Sequence, residues 1–169
     1  MEIKFESLKT PSSLERVRKI ASSIWPETFR EILSREQIAY MMEMMYAPSV
    51  MEKELENGYD FTLLLTPEGE DGGYMVTGPA PGEPGAFMLH KLYLLSRHHG
   101  KGWGSAMLEQ VEKMGRERGY KKLTLHVNRK NFRAYNCYCR NGFTVEKELC
   151  TPIGKGFVMD DYIMVKDLG

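Results

Sequence analysis

The chain has 169 residues, 42% of them hydrophobic, and its 23 Lys and Arg balance 23 Asp and Glu. That length buries one sizeable core and gives no sign of a second unit, so a single domain over residues 1–169 is expected. Zero net charge supplies no field of the kind that gathers nucleic acid or an anionic membrane, so neither is an expected partner.

No apolar run approaches the roughly 18 residues that span a bilayer. The stretch "MEIKFESLKT" has no apolar h-region, and the expected location is the cytoplasm. Cys137, Cys139 and Cys150 stand at no zinc-site spacing, which leaves reduced, structural thiols and no metal.

In chain order, "IKFESL" alternates as a short strand should. "TPSSLERVRKIASSIW" places a Ser cap before Leu14, Val17, Ile20, Ala21 and Ile24 at helical spacing. "SREQIAYMMEMMY" begins with a capping-box signature, Ser34 and Gln37, and a further short helix is expected from Ser49 to Glu56, stopped by Gly58. The period then changes: "DFTLLLT" and "GYMVTG" read as strands joined by the turn-rich "PEGEDGG". "PAPGEPG" reads as a loop leading into the apolar strand "AFMLHKLYLL".

Three alternating glycines, Gly100, Gly102 and Gly104, follow that strand in "RHHGKGWGSAMLEQVEKM" and open onto a helix expected to reach about Arg118, with Gly119 as its left-handed cap. "KKLTLHV" then reads as a buried strand. Glycines at such a strand-to-helix junction let main-chain N–H groups and the helix N-terminus converge on an anion with no Cβ in the way. The spacing is not that of a nucleotide-hydrolysing P-loop, because Lys101 lies between glycines, and the third glycine comes one residue early for a dinucleotide fingerprint. Turn glycines without a ligand are the alternative.

"RHHGKGWG", with Arg97, Gly100 and Gly102, resembles the Q/R-x-x-G-x-G/A segment of the GNAT superfamily, the Gcn5-related N-acetyltransferases. About 30 residues on, "NFRAYNCYCRNGF" is similar to that family's N-x-x-A-x-x-x-Y-x-x-x-G-F helix through Asn131, Ala134, Tyr138, Gly142 and Phe143, and "GFVMDDYIMVKDL" looks like its last strand. The resemblance covers roughly residues 86–147 and implies an α/β (α+β) GNAT fold. That fold is a central twisted, largely antiparallel mixed sheet of six or seven strands with about four flanking helices, in which the strands read at 86–95 and 121–127 splay apart.

It also implies acetyl-CoA as cofactor. The backbone of Leu92 and Leu94 would take the pantetheine arm, with the Leu94 amide polarising the thioester carbonyl. Arg97, His99, Gly100, Lys101, Gly102, Trp103, Gly104 and Ser105 would hold the pyrophosphate, while Asn131 is either an N-cap or a bond to the cofactor arm. Tyr138 sits where the family places a general acid for the departing thiolate, and an aromatic core residue is the competing reading.

For the base, His90 shares the strand parity of Leu92 and Leu94 and has a suitable unperturbed pKa, although a structural histidine fits as well; the family more often uses a Glu or an ordered water. His126 is a weaker rival, and His98 and His99 are expected to be exposed or in contact with the cofactor. Trp25, Phe29 and Tyr40, with the Met-rich "YMMEMMY", are expected to line the acceptor cleft or else pack in the core, and Glu27, Glu31 and Glu43 are candidate anchors for a cationic acceptor. The expected reaction is acetyl transfer from acetyl-CoA to a primary amine of a small molecule such as a polyamine, amino acid or related metabolite. A protein amine, a non-catalytic acyl-CoA-binding module and a homodimer are left open.

Overall fold

The computed structural model describes residues 2–169. Seven strands form one sheet in the order β1-β2-β3-β4-β5-β7-β6. They are β1 (Lys4–Leu8), β2 (Asp60–Leu65), β3 (Asp71–Ala80), β4 (Glu83–Leu94), β5 (Lys122–Asn128), β6 (Thr144–Gly154) and β7 (Phe157–Asp167). Every neighbouring pair is antiparallel except β4 and β5, which run parallel. Five α-helices flank the sheet: α1 (Glu15–Phe29), α2 (Arg35–Tyr46), α3 (Pro48–Glu56), α4 (Trp103–Glu117) and α5 (Phe132–Arg140).

Strand alternation sends side chains to two separate cores. Phe61, Leu63, Tyr74 and Val76 pack with α1, α2 and α3 on one face. Leu64, Met75, Phe87 and Leu125 pack with α4 and Tyr138 of α5 on the other.

Helix α1 continues past Ile24, the last apolar position of its sequence pattern, through Pro26 to Phe29. An internal proline forfeits one helical hydrogen bond, but the extra turn buries Phe29 against the Trp25 ring, at a centroid separation of 4.6 Å. The expected loop "PAPGEPG" shrinks to a turn at Pro81 and Gly82, the latter at φ +75°. Pro79 is tolerated inside β3 because pairing with β2 has already ended at Thr77, so its missing N–H is not needed there.

β6, which the sequence reading did not separate from its surroundings, is an edge strand exposed along almost its whole length. With no buried face it writes no clear apolar period. Helix α2 clamps the β6–β7 hairpin. Gln37 does not close the expected capping box, although Ser34 Oγ does accept from the Gln37 N–H at 3.0 Å; its side-chain amide donates instead to the Val158 carbonyl at 2.7 Å. The Tyr40 hydroxyl donates to the Ile153 carbonyl at 2.6 Å. Cys139 and Cys150 are exposed rather than packed, and Cys137 is half-buried; all three are free thiols. Among the described residues no helix is long and apolar enough to cross a membrane, and no His, Cys, Asp or Glu cluster could hold a metal.

Candidate active site

The parallel pairing of β4 with β5 covers only Ala86–Leu89 against Lys122–Leu125. Beyond it β4 runs on to Leu94 and β5 to Asn128 without pairing, so a gap opens in the middle of the sheet. A β-bulge coincides with its start: on β3 the register steps from Val76 opposite Lys91 to Thr77 opposite Leu89, leaving His90 as the extra residue of β4.

The bulge corrects the parity argument for His90. Leu89, Leu92 and Leu94 pack on the α4 side, whereas Lys91 lies over the Tyr46 ring and Tyr93 packs on the α1 side. His90 stacks on Tyr59, which belongs to that same α1 side, at 4.4 Å between ring centroids. It therefore stands on the opposite face from Leu92 and Leu94. Its Nε2 donates to the Pro79 carbonyl at 3.2 Å, and burial pulls its pKa down to about 4.

The backbone expectation for Leu92 and Leu94 follows from register. Leu95 N–H donates to Gly72 O, which makes that an inter-strand bonded pair, and alternation then turns the N–H and C=O groups of Leu94 and Leu92 away from β3, toward the gap. The unpaired edge can accept an extended ligand as a further strand.

Two cavities meet at this gap. One, of about 180 Å³, lies on the α4 side and is walled by His99, Gly100, Gly102, Gly104 and Ser105, with Leu92 and Leu94 at its inner end. Gly100 and Gly102 have φ of +78° and +79°, and a Cβ on either would point into open space. Helix α4 starts at Gly102 with no side-chain cap, so its first N–H groups are free for an anion. The residues present thus fit the diphosphate and pantetheine of a coenzyme A.

Arg97 and Lys101 lie outside that wall. Arg97 is exposed beside Glu70, and Lys101 Nζ folds over the Trp103 ring at 4.8 Å. The cationic wall residues are instead Arg133 and Arg140 of α5, seven residues apart and so on one helix face. That spacing was available in the sequence. His98, expected to be exposed or at the cofactor, lines the cavity but is buried, tilted against the Trp103 ring. Asn131 accepts from the Ala134 N–H at 3.4 Å as an N-cap and also borders both cavities.

The second cavity, about 350 Å³, opens on the α1 side. Trp25 and Phe29 line it, together with Met41, Met44 and Met45. The Trp25 ring is locked from beneath, its Nε1 donating to the hydroxyls of Tyr46 and Tyr74 at 3.0 and 3.2 Å. Tyr40 does not reach this cavity; its hydroxyl is committed to the β6–β7 hairpin. Nor do the proposed anchors, since Glu27 accepts from Ser96 Oγ, Glu31 lies beside Arg30, and Glu43 is exposed.

The charged residues that do line the cavity are Glu54, Lys91 and Asp161, with His90 and His126. Glu54 and Lys91 form a pair at 3.8 Å, and burial raises the carboxyl and lowers the ammonium from their usual values. Sequence reading passed over all three, because no local pattern marks a residue that only distant strands bring to a cavity.

Leu92, Tyr93, Asn131, Ala134 and Tyr138 border both cavities. Tyr138 is buried, and among the described residues its hydroxyl has no hydrogen-bond partner. Burial, with a smaller contribution from Cys137, raises its pKa well above that of a free phenol, so it rests protonated. The same burial raises any thiol in that space, which preserves the ability of the phenol to return a proton to a thiolate.

Residues 14–143 match the acetyltransferase (GNAT) family. The chain therefore belongs to that family and is an acetyl-CoA-dependent N-acetyltransferase. It is 25% identical over 154 residues to an uncharacterized N-acetyltransferase of Mycobacterium bovis, covering 91% of this chain and 97% of the relative. The fold is similar to that of the PaiA N-acetyltransferase from Thermoplasma acidophilum in complex with coenzyme A, with a TM-score of 0.81 and 24% identity over 99% of both chains. It is also similar to a spermidine N-acetyltransferase chimera from Vibrio cholerae and hSSAT, with a TM-score of 0.73 and 14% identity over 99% of this chain and 96% of the other.

Proposed function

We propose that the protein acetylates a primary amine of a small molecule, a polyamine, amino acid or similar metabolite, in the cytoplasm. The observation that carries this reading is the meeting of the two cavities at Tyr138. A glycine-lined cavity at a helix N-terminus suits the donor, and the cavity of about 350 Å³ beyond it is of metabolite size. Its floor of aromatic rings and methionines receives an apolar body, while Glu54 and Asp161 receive ammonium charge. The likeness of the fold to a spermidine N-acetyltransferase chimera lends support to a small amine.

Acetyl-CoA, when bound, supplies an activated acyl group on a thioester. The protein's own part is to hold the diphosphate at the α4 N-terminus and the arm along Leu92 and Leu94. It also orients the acceptor against Trp25 and Phe29 and offers the Tyr138 proton to the leaving sulfur. A panel of polyamines, amino acids, other small amines and lysine-containing peptides, assayed for release of free thiol from acetyl-CoA, tests the reading. Turnover confined to small amines is expected, and turnover of peptides alone overturns it.

A further inference from the structure

We propose that the carboxylate of Asp161 takes the proton from the acceptor ammonium, as the general base of the reaction. The inference rests on the small-amine reading above and concerns the same cavity.

Asp161 lies on β7 directly opposite Asn128 of β5, at the end of β5 where the gap is open. Alternation along β7 puts Tyr162 and Met164 on the α4 side, so Asp161 faces the α1 side and the acceptor cavity, which it lines. Only 6% of the residue is exposed. Among the described residues neither carboxylate oxygen has a hydrogen-bond or ion-pair partner. A buried carboxylate is ordinarily paired; this one is left with only the cavity to face.

The neighbouring charge is set to favour a base. Asp160, next in the chain, is turned outward to Arg129 at 3.7 Å and repels the Asp161 charge. Tyr93 of β4 and Tyr138 of α5 line the same cavity as Asp161. His126 of β5 and the Glu54–Lys91 pair are the other titratable groups of the cavity apart from His90, and His90 is already neutral above pH 5. Burial first, and Asp160 second, raise Asp161 from the ordinary 3.8 to about 6. A carboxylate so placed is ionised at neutral pH yet far more basic than an exposed one, which suits proton abstraction.

The protons balance. The ammonium gives one proton to Asp161, and the freed nitrogen pair forms the C–N bond as the C–S bond breaks with its electrons on sulfur. Sulfur takes the Tyr138 phenolic proton, and the second proton leaving nitrogen restores that phenol. Asp161 returns its proton to water. The sum is an amide, a thiol and one proton from an ammonium and a thioester.

The test uses the full-length protein and two amines of different pKa found in the acceptor screen. In the wild type kcat/KM should rise through a limb near pH 6 that is the same for both amines. Asp161→Asn should remove that limb and lower kcat/KM roughly 10²-fold or more. Asp160→Asn should keep the limb and move it to lower pH. Two readouts are independent of turnover: a carboxyl ¹³C resonance titrating near pH 6 in the wild type and missing from Asp161→Asn, and a higher Tm for Asp161→Asn above pH 7 that vanishes near pH 4. A limb that persists in Asp161→Asn, or a carboxyl that titrates near 4, overturns the assignment. Failure of the small-amine reading looks different, since the wild type then turns over no small amine of the panel.

Discussion

Gly102→Ala separates cofactor binding from folding, because Gly119 is a matched control at the other end of the same helix. Gly102 precedes α4 at φ +79° and Gly119 follows it at φ +81°, and a Cβ added at either meets no atom within 4 Å. Each substitution therefore carries one stability cost, the roughly 1–2 kcal/mol that the left-handed conformation imposes on a residue with a Cβ. For a chain of 169 residues that lowers Tm by about 2–8 °C. Only Gly102 lines the donor cavity, where the methyl group enters the space in front of the uncapped N–H groups of α4. Loss of one charge-assisted hydrogen bond to a phosphate costs about 1.5–3 kcal/mol, so the Kd for acetyl-CoA should rise roughly ten- to hundredfold. Titration calorimetry and thermal melts on both variants decide it. Wild-type affinity in Gly102→Ala, or an equal loss of affinity in Gly119→Ala, refutes the cradle.

Tyr138→Phe keeps the buried ring against Phe143 and removes only the hydroxyl. Acetyl-CoA affinity should stay near wild type while kcat falls roughly 10²-fold, and wild-type turnover in steady-state kinetics would return Tyr138 to a packing role. His90→Gln should leave the pH profile of kcat/KM unchanged above pH 5, because burial already holds the ring neutral there. Its effect belongs to stability. A folded pKa of about 4 against 6.5 unfolded means that the unfolded chain binds more protons in that window, so the wild type loses stability as pH falls from 6.5 to 4, by at most about 3 kcal/mol. His90→Gln should lack that loss in denaturant titrations at the two pH values, and identical pH dependence in the two proteins contradicts the half-buried, neutral ring.

The local features of the chain were legible without coordinates. Ser34 caps α2, Gly102 and Gly119 bracket α4, the alternation in "IKFESL" marks β1, and the apolar runs of "DFTLLLT" and "KKLTLHV" mark buried strands, because caps, left-handed turns, two-residue periods and short apolar runs are written by residues next to one another in sequence. The glycine loop and the Tyr138 helix were legible for the same reason, each motif lying within one turn or one helix.

What only the tertiary structure decided depends on residues far apart in sequence. The face to which His90 points was set by a bulge that exists only in the pairing of β4 with β3, and one extra residue reverses every inference from parity. Tyr40 stays outside the cavity lined by Trp25 and Phe29 because β6 and β7 came to lie within reach of its hydroxyl. Asp161 looked like one of two adjacent acids in "MDDY" until the sheet buried it and turned Asp160 outward. A carboxyl's basicity is fixed by the solvent it loses and the charges beside it, and both belong to the assembled sheet rather than to any stretch of the chain.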